Sequence, residues 1–175
     1  TPFEGQPILS ESDIVEFPTP SGMGPRHIDF HPNMEYMYVL GEISGQVVVY
    51  DYNDGDITMK QTIASDSVGG QGSADIHVSP DGKFLYTSNR LKDDGIAIFS
   101  IDQETGTLAR VGYQPTGRHP RNFSFTPDGQ YILVACRDDN KIQVFKVNQD
   151  TGLLTNTEKD ILLSKPVCIQ FMDME

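Results

Sequence analysis

Three stretches of the chain repeat one pattern of apolar and polar positions. RHIDFHPNMEYMYVLGE (Arg26 to Glu42), ADIHVSPDGKFLYTSNR (Ala74 to Arg90) and RNFSFTPDGQYILVACR (Arg121 to Arg137) each place an alternating run before a Pro-centred turn and a more apolar run after it. Period-two alternation rich in β-branched and aromatic residues predicts strands. Pro-Asn and Pro-Asp-Gly suit the tight reversal between them. The turn prolines, Pro32, Pro80 and Pro127, lie 48 and 47 residues apart, and a charged residue stands ten positions after each: Glu42, Arg90 and Arg137.

Each repeat continues into a second hairpin. In the first, strands are predicted over Arg26–His31, Tyr36–Gly41, Gln46–Tyr52 and Ile57–Ile63. The second repeat runs from Ala74 to about Gln114, turning at Lys92–Gly95 and Glu104–Gly106. The third runs from Arg121 to about Leu163, turning at Asp138–Asn140 and Asp150–Gly152. No stretch has the period of a long amphipathic helix. A four-stranded unit of ~40–50 residues in tandem is the signature of a β-propeller blade. Apolar residues on both strand faces (Ile28 and Phe30, Met37 and Val39) fit blades sandwiched between blades. A stacked sandwich is the rival, and the constant repeat length and matched turns tell against it.

The expected architecture is therefore all-β, with blades over residues 22–66, 73–115 and 120–163. Two partial units flank them. Asp13–Phe17, within residues 1–20, is expected to be the outer strand of a preceding blade, and Lys165–Phe171 the first strand of a closing one. Propellers close with ~4–8 blades, and three alone would leave two apolar blade faces uncovered. The expectation is that this is the C-terminal half of one propeller domain, completed by an N-terminal half.

Composition narrows the partners. A net charge of −12 disfavours nucleic acid, whose phosphates reward clustered Lys and Arg, and equally an anionic membrane surface. No run approaches the ~18 apolar residues of a membrane helix, and a cytoplasmic location is expected. Cys136 and Cys168 have no disulfide-framework or zinc-ligand spacing and are expected to be ordinary buried thiols. No phosphate-binding glycine loop, nucleophile elbow, HExxH or EF-hand loop occurs, so no cofactor or metal is expected and serine nucleophilic catalysis has no support.

Strand geometry then gathers the charge. In an antiparallel hairpin the start of the first strand and the end of the second lie together. Arg26 meets Glu42 there, Ala74 meets Arg90, and Arg121 meets Arg137. With the first strand innermost, all of these crowd one mouth of a central channel, with Arg118 and His119 on the same rim. Five of the six arginines fall at this mouth, Arg110 being the exception. Their forked donors match carboxylate and phosphate, which points to anion binding. The alternative is that they tie blade to blade, with Glu42 neutralising one or two. Asp29, His77, Ser124 and Gln170 form a polar column on the inner strands; His27 sits at the mouth beside Arg26, and His31, at the far end, is expected to be structural.

GPRHIDFHP (Gly24 to Pro32), YVLGEISGQVVVY (Tyr38 to Tyr50), DIHVSPDGKFLYTSNR (Asp75 to Arg90) and PRNFSFTPDG (Pro120 to Gly129) resemble the lactonase family of seven-bladed β-propellers. That family includes bacterial 6-phosphogluconolactonase, a hydrolase of the pentose phosphate pathway, and fungal carboxymuconate cyclase. The resemblance implies a seven-bladed ring, and site residues at Arg26, Glu42 and Arg90. It also implies a further site histidine from a blade outside this chain, and Arg137 stands where relatives more often carry an uncharged residue. The implied reaction is hydrolysis of a small anionic sugar lactone. Arg26 and Arg90, with Arg121, would hold the anion and the oxyanion, Glu42 or a histidine such as His27 would take a proton from water, and Arg137, His77, His119 and Arg118 would assist binding. Two alternatives remain: a lactonising cyclase acting on a muconate-type diacid, and a non-catalytic propeller that binds a ligand or protein.

Overall fold

The computed structural model describes residues 16–53 and 56–172. Three antiparallel sheets follow one another along the chain. The first holds β1 (Pro25–Phe30), β2 (Tyr36–Gly41), β3 (Gln46–Asn53) and β4 (Asp56–Ala64). The second holds β5 (Ile76–Val78), β6 (Phe84–Asn89), β7 (Gly95–Ile101) and β8 (Leu108–Pro115). The third holds β9 (Pro120–Phe125), β10 (Tyr131–Cys136), β11 (Lys141–Val147), β12 (Leu154–Asn156) and β13 (Ile161–Leu162). Within each sheet the first four strands lie in space in their sequence order, the topology of a propeller blade, and β13 pairs with β11 beside β12. Among the described residues the helical content is a single 3-10 turn at Arg137–Asp139, and no helix is long and apolar enough to cross a membrane.

The central strands of the second blade are apolar on both faces because it is covered on both sides. Tyr36, Tyr38, Leu40, Val47 and Val49 of the first blade pack against Ile76, Leu85, Ala97 and Phe99 of the second. The second blade's other face, with Phe84, Tyr86, Ile96 and Ile98, packs against Phe123, Ile132, Val134 and Phe145 of the third. Burying such side chains contributes about 1.5–3 kcal/mol each. Directed bonds fix the lateral register: Tyr38 donates its hydroxyl to the Gly106 carbonyl (3.0 Å) and Tyr86 to that of Gly152 (2.7 Å). These tyrosines are 48 residues apart and the glycines 46, so one tie is used at both blade boundaries.

The outer strands carry a repeated irregularity. The pairing of β3 with β4 shifts after Val49, and that of β7 with β8 after Ile98. At the equivalent Val144 the interruption is larger: Thr157 bonds the Val144 carbonyl through both backbone and hydroxyl, splitting the outer edge into β12 and β13. The third blade's far side carries a cleft lined by Tyr131, Leu133, Val144 and Ile161, with Ile161 half-exposed.

The two flanking expectations fare differently. Residues 13–15 of the predicted strand Asp13–Phe17 lie outside the described residues, and Phe17 packs edge-on against Tyr50 at 5.3 Å without forming a strand. Lys165–Phe171 is also not a strand. Even so, Ile169 donates its N–H to Asn122 Oδ1 (2.7 Å), as Phe123 donates to Asp75 one blade earlier (3.1 Å). The pair of buried thiols is corrected in part. Cys136 is buried and burial pushes its thiol up to about 12, whereas Cys168 is exposed.

Candidate active site at the arginine-lined mouth

Two β-bulges aim the arginines. Pro25 pairs with Gly41 and His27 with Leu40, so Arg26 is an extra residue opposite the turn into Glu42. Asn122 pairs with Ala135 and Pro120 with Cys136, which makes Arg121 the extra residue of the third blade. A bulge breaks strict alternation and redirects a side chain, so Arg26 and its neighbour His27 approach each other instead of pointing to opposite faces. At the end of β2, Gly41 leaves no room for a side chain: a Cβ there would lie 2.6 Å from Ser44 Oγ and 2.7 Å from the Met23 carbonyl oxygen. Glu42, next in sequence, donates its N–H to the Gly24 carbonyl (2.8 Å), which fixes where its carboxylate starts.

Arg90 is aimed from below by a buried polar layer between the first two blades. Ser65 Oγ meets Thr87 Oγ1 at 2.6 Å, and Asn89 Oδ1 accepts from Ser65 (3.0 Å) and Ser73 (2.6 Å). These groups satisfy one another, as buried polar atoms must, and fix the chain leading into Arg90. Arg90 itself is 5% exposed, and its Nε donates to the Gly72 carbonyl at 2.8 Å.

These supports bring four predicted residues into one cluster. Glu42 bridges two blades: Oε1 accepts from Arg90 Nη2 at 2.6 Å, and Oε2 lies 3.4 Å from Arg26 Nε. Arg26 Nη1 donates to the Ala74 carbonyl. On the other side Arg90 Nη1 donates to His119 Nε2 at 3.0 Å. Burial, then the charges of Arg90 and Arg137, hold the His119 imidazole below its ordinary range, with Arg121 acting in the same sense. Burial likewise lowers Arg90, opposed by Glu42, with Arg26 and Arg121 adding to the lowering. Arg121 is thus near enough to act on both Arg90 and His119. His119 has φ +61°, a left-handed conformation unusual for a residue with a side chain.

Beside the cluster lies a hub the sequence reading missed. Asp75 is 3% exposed and accepts from His27 Nδ1 (2.6 Å), Asn122 Nδ2 (2.6 Å), Phe123 N–H (3.1 Å), Ile76 N–H (3.1 Å) and His77 Nε2 (3.3 Å). Burial opposes its ionisation, but the His77 and His27 bonds and the Phe123 N–H together outweigh burial and lower the carboxyl to about 2. His27, Asp75 and Asn122 are the second residues of RH, AD and RN, one position in each blade. That alignment was the available signal.

Two predicted site residues are committed elsewhere. Arg118 is 72% exposed and binds Asp139 at 2.7 Å. His77 stacks edge-on against Phe123 and faces Asp75 and Asp29, whose Oδ2 lies 3.8 Å from its Nδ1. Arg137 stays near the cluster through its charge on His119, but its Nε is held by Asp138 at 2.8 Å. Asp138, also unforeseen, lies 3.4 Å from His119 Nδ1. His31 is structural as expected: it is buried, and its Nε2 faces the Gly82 carbonyl at 3.0 Å. Among the described residues no group of His, Cys, Asp or Glu is arranged to hold a metal ion.

A family model described as "Lactonase, 7-bladed beta-propeller" matches residues 4–171. The chain belongs to this lactonase family. A relative named 6-phosphogluconolactonase from Formosa agariphila is 41% identical over 93% of this chain and 46% of its own length. One of the same name from Bacillus subtilis is 36% identical over 94% of this chain and 48% of its own. The solved structure of a Bacteroides fragilis protein is 55% identical with a TM-score of 0.89, covering 90% of this chain and 44% of that one. The chain thus spans about half the length of the curated relatives it matches.

Two clefts of this lactonase-family chain lie at the opposite end of the blades. One, of about 560 Å³, is lined by Lys83, Phe84, Gln103 and Thr151; the other, equally large, by Glu35, Tyr36 and Asp51. Neither gathers cationic side chains from more than one blade. The arginine mouth, where side chains of three blades converge, is the candidate active site.

Proposed function

We propose that this chain supplies three consecutive blades of a seven-bladed lactonase, and that the complete protein hydrolyses 6-phosphogluconolactone or a closely related anionic sugar lactone. The observation that carries the reading is the Glu42 bridge between Arg26 and Arg90, with Arg121 and His119 at the same mouth. Several guanidinium groups around one opening of an acidic protein suit a phosphorylated substrate. The names of the Formosa and Bacillus relatives support the same substrate class.

In this mechanism Arg90 and Arg121 hold the phosphate or carboxylate-like oxygens. Arg26 faces the lactone carbonyl and stabilises negative charge as water adds. Glu42, with an oxygen on each of two guanidiniums, fixes their separation before substrate arrives. The water oxygen bonds to the carbonyl carbon, the bond from that carbon to the ring oxygen breaks, and the water proton passes through a base to the departing oxygen.

The experiment is turnover by the full-length protein, with product 6-phosphogluconate read by a coupled dehydrogenase. Phosphorylated lactone should be hydrolysed well above its spontaneous rate and at least tenfold more efficiently than uncharged gluconolactone. Hydrolysis no faster than in buffer defeats the reading, as does exclusive activity on a muconate-type diacid.

A further inference from the structure

Three groups at the mouth have the chemistry of a base: Glu42, His119 and His27. Both Glu42 oxygens face guanidiniums, at 2.6 and 3.4 Å. His119 Nε2 accepts from Arg90 at 3.0 Å and its side chain is 12% exposed. His27 combines what the other two lack together: its side chain is 42% exposed, its Nε2 has only a longer guanidinium contact (3.3 Å from Arg26), and the carboxylate at its other ring nitrogen is at 2.6 Å, closer than the 3.4 Å of Asp138 to His119.

Donor and acceptor chemistry settles the His27 tautomer. Asp75 Oδ1, 2.6 Å from Nδ1, belongs to an ionised carboxylate and only accepts, so Nδ1 carries the proton. Arg26 Nη1, 3.3 Å from Nε2, only donates, so the Nε2 lone pair faces the mouth. Arg26 Nη1 also bonds the Ala74 carbonyl, leaving a long contact to Nε2 that an incoming water can replace. Asp75 is itself locked from the third blade by Asn122 and the Phe123 N–H. One buried carboxylate thereby orients an exposed imidazole across two blade boundaries.

We infer that Asp75 is a positioning residue that holds His27 with Nε2 toward the substrate, and that His27 Nε2 is the general base of the lactonase reaction. This deepens the lactone reading and rests on it. The O–H bond of the attacking water breaks, its proton goes to Nε2, and its electron pair forms the bond to the carbonyl carbon. The carbonyl pair moves to its oxygen, beside Arg26. On collapse the bond to the ring oxygen breaks and that oxygen takes the proton back from Nε2. Asp75 stays ionised and steadies the imidazolium; among the described residues Arg26 on β1, His77 on β5 and Asn122 on β9 are the other side chains that face the pair, and Asp29 on β1 faces His77 in turn.

The test uses the full-length protein. His27→Gln should lower kcat by about 10²-fold or more with KM changed less than about threefold. Asp75→Asn should lower kcat at least tenfold and move the acid limb of the kcat profile to lower pH. The double variant should be no slower than His27→Gln alone, as for residues that act as a unit. A His27→Gln enzyme within threefold of wild-type kcat overturns the inference, and so do effects that multiply. Ring ¹⁵N shifts of His27 at pH 8 give a reading independent of turnover and of the variants' folding. Protonated Nδ1 with bare Nε2 is expected, and the opposite tautomer overturns the dyad. If wild type hydrolyses no lactone, the lactone reading and the base role fall together, while the ¹⁵N result still decides the geometry.

Discussion

Arg90 Nη2 and Glu42 Oε1 lie 2.6 Å apart across the boundary between the first two blades, 48 residues apart in sequence. The pair is lopsided: Arg90 is 5% exposed at its side chain and Glu42 40%. Glu42→Gln keeps shape and one hydrogen bond but removes the charge. It should destabilise the full-length protein by only about 1 kcal/mol, because solvent screens the exposed partner. Its effect on turnover should be larger, with KM for the phosphorylated lactone rising about tenfold as the guanidiniums lose their spacer. Urea unfolding and steady-state kinetics on one preparation check both.

Arg121 and Arg118 separate anion binding from surface pairing. Arg121 acts on Arg90 and His119, whereas Arg118 is exposed and bound to Asp139. Arg121→Ala should raise KM for phosphorylated lactone by about 10–100-fold, the loss of one charge-assisted contact. Arg118→Ala should leave it within twofold. Equal effects would place the anion on the outer rim.

The Asp75 hub makes stability depend on pH in two windows. Asp75 is lowered to about 2, so its contribution is present above the unfolded carboxylate range and is lost as pH falls from about 4 to about 2. Its size is about 2 kcal/mol. Asp29, raised chiefly by burial, works with the opposite sign, losing stability as pH rises through its folded range. Burial opposes protonation of His77, yet Asp75 and Asp29 raise it, so its contribution is full below about 6.5 and is lost as pH rises through the folded pKa. His119, lowered by burial, has the opposite sign over that range. The wild-type minus His77→Gln difference in unfolding free energy isolates one group; it should be largest near pH 5 and shrink above pH 7.

Gly106 tests the blade-to-blade tie away from the mouth. Its φ is +68°, and a Cβ would fall against the Tyr36 ring. Gly106→Ala adds backbone strain to overpacking and should cost about 2–4 kcal/mol. Gly22, also at positive φ (+74°) but with open space around it, should cost less on the same substitution. Thermal unfolding of the two variants compares them.

The blades were legible because a two-residue period and a proline turn recur three times, at spacings of 48 and 47 residues. The Arg26–Glu42 pairing was legible too, since hairpin geometry alone brings strand start and strand end together. What lay beyond reach depends on lateral alignment between blades. The bulges at Arg26 and Arg121, the convergence of His27, His77 and Asn122 on Asp75, and the diversion of Arg118 to Asp139 are set by neighbouring chain segments, not by local pattern. Alternation put His77 in the polar column of the inner strands, and the structure places it there, between Asp29 of the first blade and Asp75 of the second. Cys168 was expected to be buried from the habit of its residue type and is exposed.

A crystal structure of the full-length protein with 6-phosphogluconate bound tests the central claim most directly. The product should sit at the mouth with an anionic oxygen within hydrogen-bond distance of Arg90 or Arg121 and its new carboxylate beside Arg26 and His27. Product bound at the opposite end of the blades, or at the mouth with no arginine contact, would contradict the account.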